Sequence, residues 1–291
     1  MTLDSYSQDL KPNENFREFY DAVGRLYPEE EVVFKTLRGL IRRRFILSYL
    51  QKFRGLLLDL GCNRGYYISE YNNDSAIGID ISYPVLQEAK NRLPEVNFLQ
   101  GDAQQLSFLK PNSVDAILCS EMIEHVQNAR RVFSECFRIL KPSGVILITT
   151  PNYKKEKPTW IKIDEMKSYG VQGVKDDLYF HTAFRPEELK EMAESAGFAN
   201  IETGTFEKEV KYATRIPVIF YHLVKLLNKI FVRSDKLTGA NETMLNKSSL
   251  FIYRFCKFLR LNRFFISLVR EGVRSYLFAQ KNTFARSADN P

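Results

Sequence analysis

The chain has 291 residues, 44% hydrophobic and 26% charged, which excludes disorder over most of its length and suits one large α/β domain with additions. Its formal charge of +7 is local, because residues 208–274 hold 14 Lys/Arg against 4 Asp/Glu and the remainder is slightly acidic. Four cysteines without a CxxC pair exclude a disulfide framework and a zinc knuckle. The polar, acidic N-terminus does not read as a signal peptide, and Ile216–Val224 is too short an apolar run to span a bilayer, so the cytoplasm is the expected location.

In chain order, residues 16–54 read as helical and carry Tyr20 and Tyr27. Short apolar runs follow at Gly55–Leu60, Ala76–Asp80, Val96–Gln100, Val114–Cys119 and Gly144–Thr150, each suited to a buried parallel strand. Helix signals alternate with them. Ser82 and Pro84 open one helix, with Val85, Leu86 and Ala89 on one face. A second runs from about Asn128 to Leu140 and stops at Lys141-Pro142-Ser143-Gly144. A third starts near Arg185-Pro186 and ends at Gly197. Two further strands are expected near Ala199–Glu207 and at Arg274–Lys281. The alternation predicts a Rossmann-like, doubly wound α/β sheet with N-terminal helices and a helical insertion. The expected organisation is a helical cap over 1–54, a core over 55–207, a basic amphipathic insertion over 208–273, a final core strand over 274–284 and a flexible tail over 285–291.

The strongest motif is Asp59-Leu60-Gly61-Cys62-Asn63-Arg64-Gly65, between an apolar strand and a helix. Glycines there admit a cofactor to the backbone, and a helix N-terminus favours a carboxylate. A dinucleotide fingerprint would place glycine where Asn63 stands, so a pyrophosphate cradle, and with it a nicotinamide dehydrogenase, is disfavoured. Asp80 ends the second strand, where a carboxylate accepts both ribose hydroxyls, and Asp102 with Ala103 follows the third, where it can meet an adenine amino group. A lone Asp in such a loop is as readily a turn residue or helix cap; three at successive strand ends are not.

As a set, DLGCNRG, GID, GDAQQL, VDAILCSEMIEHV, RILKPSGVILITTPN and HTAFRPEELKEMAESAGF resemble the class I S-adenosylmethionine-dependent methyltransferase family over about residues 55–207. The strand RSYLFAQK resembles that family's final, antiparallel strand, which implies a seven-stranded sheet. The resemblance implies that S-adenosylmethionine binds with Asp59, Gly61 and Gly65 around its methionine part. It places Asp80 at the ribose, Asp102 and Ala103 at the adenine, and Ser120 near the sulfonium. It also implies methyl transfer to a small or lipid-like acceptor.

A hydroxyl acceptor must lose its proton or have its pKa lowered by a metal. Glu121, Glu124 and His125 follow the fourth strand at i, i+3 and i+4, which on a helix is one face, and His181 comes 56 residues later. This E-x-x-E-H pattern with a distant histidine resembles two metal-dependent O-methyltransferase groups, one acting on polyprenylated catechols in ubiquinone synthesis and one on the terminal 2′-hydroxyl of small RNAs. That resemblance implies Mg²⁺ or another divalent cation held by Glu121, Glu124, His125 and His181, with His125 and His181 as catalytic candidates. Similar residues elsewhere in the superfamily only brace the fourth strand.

In the basic segment, His222, Lys225, Asn228, Lys229 and Arg233 group on one side of a helical wheel, beside Ile, Leu, Val and Phe. Leu250–Arg270 is similar in content, with its charges spread around the wheel. Large apolar faces beside Lys and Arg suit membrane-peripheral contact through residues 208–273 or a lipid-like acceptor. Plain packing, a homodimer interface and a nucleic-acid surface are the competing readings. An RNA methyltransferase using this segment, or a catalytically silent binding module, is the alternative function.

Overall fold

The structure, a computed structural model, describes residues 15–26, 35–72, 74–162 and 178–282; Tyr27 and the 285–291 tail lie outside them. Two helices come first, α1 (Phe16–Leu26) and α2 (Leu37–Leu50). The core then alternates β1 (Leu57–Leu60), α3 (Tyr66–Ser69), β2 (Ala76–Asp80), α4 (Tyr83–Arg92), β3 (Asn97–Gln100), β4 (Val114–Ser120), α5 (Ala129–Ile139) and β5 (Leu140–Pro151). A small antiparallel pair, β6 (Trp160–Lys162) and β7 (Leu178–Phe180), precedes α6 (Pro186–Ala196) and β8 (Phe198–Phe206). Helices α7 (Lys208–Ala213), α8 (Arg215–Leu227), α9 (Asp235–Phe258) and α10 (Asn262–Ser267) lead to β9 (Arg274–Lys281).

Seven strands form one sheet in the order β3-β2-β1-β4-β5-β9-β8. The first five pair in parallel, and β9 runs antiparallel to β5 with Leu147 opposite Phe278. All four residues of β1 are buried, as expected of a central strand covered on both faces. Leu58, Leu60, Ile117, Cys119, Ile146 and Ile148 share one core with Phe133 of α5. In α4, Val85, Leu86 and Ala89 are the buried face, and α6 ends at Gly197 in the left-handed conformation (φ 100°). Lys141-Pro142-Ser143-Gly144 does stop α5, but the chain passes straight into β5 there rather than through a separate loop.

The chain divides into two compact units. One takes in Met1–Pro28, Leu47–Gly204 and Arg274–Pro291 and contains the parallel strands. The other joins Glu29–Ile46 to Thr205–Val273, so the N-terminal segment is shared between them. In the second unit Leu37 and Ile41 pack with Val210, Ala213 and Tyr253, and Arg42 pairs with the buried Glu207 at 3.1 Å.

Candidate functional site

The parallel strands bring Asp59, Asp80, Asp102 and Ser120 to one sheet edge, at the carboxyl ends of β1 to β4. Asp59 is buried. The two carboxylate oxygens of Asp80 accept from the Asn63 and Ser82 amides, both at 2.9 Å. Burial pushes the Asp80 pKa up, and these amides pull it part of the way back. The Ile81 amide adds a third backbone hydrogen bond, and a carboxylate with about four acceptor positions keeps room for a ribose hydroxyl. Asp102 accepts from the Gln104 amide at 2.8 Å and closes its own turn, with Ala103 buried beside it.

The protein itself also requires the glycines of the turn. Gly61 and Gly65 both have positive φ, 72° and 71°. A Cβ on Gly61 would lie 2.5 Å from Cγ of Met122, and one on Gly65 would lie 3.1 Å from Cζ of Phe98. Backbone conformation and protein packing therefore require glycine there. The helix after the turn is a single turn, Tyr66–Ser69, too short for a macrodipole to contribute much. The side-chain oxygen of Asn63, where a dinucleotide fingerprint has glycine, is buried and makes no hydrogen bond among the described residues. A buried amide oxygen and a carboxylate with acceptor capacity left at one turn suit a ligand with hydroxyl and amino groups, as S-adenosylmethionine is.

After β4 the expected helical face does not form. Glu121 takes the left-handed conformation (φ 53°), and only a short 3-10 turn, Ile123–His125, follows. Glu121 therefore does not share a helical face with Glu124 and His125. Its carboxylate meets Nε of Arg274 at 2.6 Å and accepts from the Thr149 hydroxyl at 3.2 Å. Among the described residues no three of His, Cys, Asp or Glu are grouped to hold a metal ion. Of the expected ligand set Glu121, Glu124, His125 and His181, Glu121 is paired with the Arg274 guanidinium in this structure. Ser120 meets Thr149, hydroxyl to hydroxyl, at 3.1 Å.

His125 and His181 do come together, with ring centroids 4.9 Å apart and planes nearly parallel. Tyr20 of α1 abuts His125 edge-on at 5.5 Å, and Tyr179 stacks on His181 at 5.9 Å. The Tyr20 hydroxyl, Oε2 of Glu124 and both Nδ1 atoms are buried without a hydrogen-bond partner among the described residues. Burial holds the Tyr20 hydroxyl well above its usual pKa, with Tyr179, Glu124 and Asp80 adding to the shift. Burial and the neighbouring Glu121 push Glu124 up to about 8. Burial and His181 push His125 down to about 3, and burial and Arg274 push His181 down to about 4. Both imidazoles are neutral at physiological pH. Tyr20 is the residue that sequence reading placed in a helix but not in the site; its only signal was an aromatic in a capping segment.

These shifts set a pH dependence of stability. The folded imidazoles stay neutral to about pH 4 or below, whereas unfolded ones bind protons below 6.5, so the unfolded chain holds more protons in that window. Glu124 opposes them: folded it keeps its proton to about 8, unfolded it releases it near 4.5. Two imidazoles outweigh one carboxyl, so these groups raise stability from pH 4.5 to 6.5 and lower it from 6.5 to 8. Urea unfolding across this range should show the dome. Glu124→Gln should flatten its alkaline side, and an unchanged decline in that variant would assign the limb to other groups.

A methyltransferase-domain family model matches residues 58–148, about a third of the chain. A probable S-adenosylmethionine-dependent methyltransferase of Mycolicibacterium smegmatis is 35% identical over 99 residues, 33% of this chain and 38% of that protein. The ubiquinone biosynthesis O-methyltransferase of Vibrio cholerae is 27% identical over 200 residues, 65% of this chain and 79% of that protein. Phosphoethanolamine N-methyltransferase 2 of Haemonchus contortus, solved with S-adenosyl-L-methionine, shares the fold at TM-score 0.54 and 18% identity, over 95% of this chain and 61% of its own. The seven-stranded sheet order is the fold that this solved methyltransferase shares. Over residues 58–148 the chain is similar to S-adenosylmethionine-dependent methyltransferases.

Proposed function

We propose that the chain methylates an oxygen of a small or lipid-like acceptor seated against Tyr20, His125 and His181. The observation that carries this is the cluster of buried, partnerless polar atoms at those three residues and Glu124. Leaving such atoms unsatisfied costs about 1–3 kcal/mol each, and an acceptor carrying hydroxyl and carbonyl oxygens satisfies them. The O-methyltransferase names of the ubiquinone-type relatives support oxygen as the target. Membrane-surface contact through residues 208–273 belongs to the same reading, because a prenyl-like acceptor resides in lipid.

When bound, S-adenosylmethionine supplies an electrophilic methyl group on a sulfonium. Asp59, Gly61 and Gly65 border its methionine part, Asp80 its ribose, and Asp102 and Ala103 its adenine, with Ser120 toward the reacting centre. The protein's part is alignment, exclusion of water and removal of the acceptor proton. A neutral imidazole with an open nitrogen is the group that can take that proton, which assigns the step to His125 or its neighbour His181. Tyr20, held protonated, donates a hydrogen bond and orients the acceptor.

Transfer of labelled methyl from S-adenosylmethionine to a lipid extract and to total RNA tests this directly. Label is expected in lipid, in excess chelator as well as without it. His125→Ala should lower transfer by about a hundredfold or more, as removal of a general base does, while cofactor affinity holds. Activity abolished by chelator and restored by Mg²⁺ would place a divalent ion at Glu121, Glu124, His125 and His181 and require the Arg274–Glu121 pair to open. Label found only in RNA would replace the acceptor assignment.

A further inference from the structure

Helix α8 carries a regular apolar stripe on the wrong side for a core. Ile216, Ile219, Phe220, Leu223, Leu226 and Leu227 recur at i, i+3, i+4, i+7, i+10 and i+11, the spacing of one helical face. In a globular domain that face packs inward. Here each of the six is 45–65% exposed, and Phe231, just beyond the helix, is 76% exposed. The inward side holds Pro217 and Asn228, both buried. Asn228 groups with the basic residues on a helical wheel, but its side chain bonds the Ser234 carbonyl and amide and the Thr238 hydroxyl, closing the chain onto α9. With Asn228 turned inward, the charged members Lys225, Lys229 and Arg233 are all exposed.

The charge around this face is of one sign. Residues 215–234 and 250–270 contain nine Lys/Arg and no Asp or Glu. All nine are exposed. On α9, Phe251, Phe255 and Phe258 are 67%, 51% and 82% exposed, with the first two rings stacked at 6.0 Å. Folded proteins do not leave this much aliphatic and aromatic surface in water without a use for it.

We propose that the outward face of α8 seats in the surface of an anionic lipid bilayer, its apolar stripe among the acyl chains and Lys225, Lys229 and Arg233 at the headgroup phosphates. Charge complementarity selects this occupant. A second copy of the chain would bring like-charged faces together with no acid in either segment to pair them. Nucleic acid would meet the cations but leave the Ile, Leu and Phe side chains against water. An anionic bilayer meets both at once. No helix among the described residues is long and apolar enough to cross a membrane, so the contact lies in the plane of the surface.

The inference deepens the lipid-like acceptor reading by naming a partner for residues 208–273, and its test needs neither cofactor nor methyl transfer, so either can fail alone. Flotation of the full chain with phosphatidylcholine vesicles, with and without phosphatidylglycerol, is the measurement. Binding is expected only with the anionic lipid and should weaken as salt rises. Lys225→Glu/Lys229→Glu/Arg233→Glu should lower it by about a hundredfold or more, since each basic residue near the surface contributes about fivefold. Leu223→Asp should lower it while leaving the three basic residues in place. Both variants alter exposed positions, so their melting curves should match wild type. Phe231→Trp adds a reporter whose emission should shift to the blue with anionic vesicles. Wild type that stays unbound at low salt, or a reporter emission that does not move in the Phe231→Trp variant, overturns the proposal. So does a soluble dimer whose interface protects this face.

Discussion

Asp80→Ala is expected to weaken S-adenosylmethionine binding by tenfold at the least. Hydrogen bonds to a charged group contribute about 1.5–3 kcal/mol each, and a ribose hydroxyl would lose its acceptor. The same carboxylate holds the Asn63 and Ser82 amides at 2.9 Å, so its removal also loosens the turn that carries Gly61. Asp80→Asn separates the two effects. It can keep an acceptor for one amide and preserve the turn, yet it lacks the charge that favours the ribose. Titration calorimetry on folded protein should rank wild type above Asn and Asn above Ala. Equal affinities in all three would remove Asp80 from the cofactor site and leave it as a turn residue.

Arg274→Met is expected to destabilise the fold by about 3–5 kcal/mol, because it leaves the Glu121 carboxylate largely buried without its cation. The two side chains are each only 16% exposed, and the contact joins positions 153 residues apart. Glu121 cannot easily turn away, since its backbone is already left-handed and Thr149 holds its other oxygen. A domain of this size loses about 2–4 °C per kcal/mol, so the melting temperature should fall by about 6–20 °C. Adding Glu121→Gln should recover most of the loss, because a neutral amide tolerates the site without a partner. If Arg274→Met melts within a degree or two of wild type, the pair is a surface contact in effect. The same variant removes the cation that holds down the Glu124 pKa, so the alkaline side of the stability dome should move to higher pH.

Much of the parallel sheet and the position of the glycine turn after β1 are written in short stretches of sequence. Leu57, Leu58 and Leu60 form a run that only a central strand buries on both faces, and the left-handed positions at Gly61 and Gly65 are local properties of the backbone. Spacing along a parallel sheet then carries Asp80 and Asp102 to the same edge, which follows from the chain order of strands alone. The residues after β4 show where such reading stops. Periodicity put Glu121, Glu124 and His125 on a helix, whereas a guanidinium from β9 draws Glu121 off in a left-handed turn. No local pattern announces a partner 153 residues away.

The same division runs through the rest of the molecule. Sequence alone determined the alternation of strand and helix, the acids at the strand ends and the concentration of positive charge between residues 208 and 274, because each depends on neighbours a few positions apart. Tertiary structure alone decided that Tyr20 leans on His125, that His125 meets His181, and that Asn228 rather than the apolar stripe of α8 faces inward. An apolar stripe of helical period specifies a face but not its direction; which side is buried depends on the surfaces that distant segments present to it.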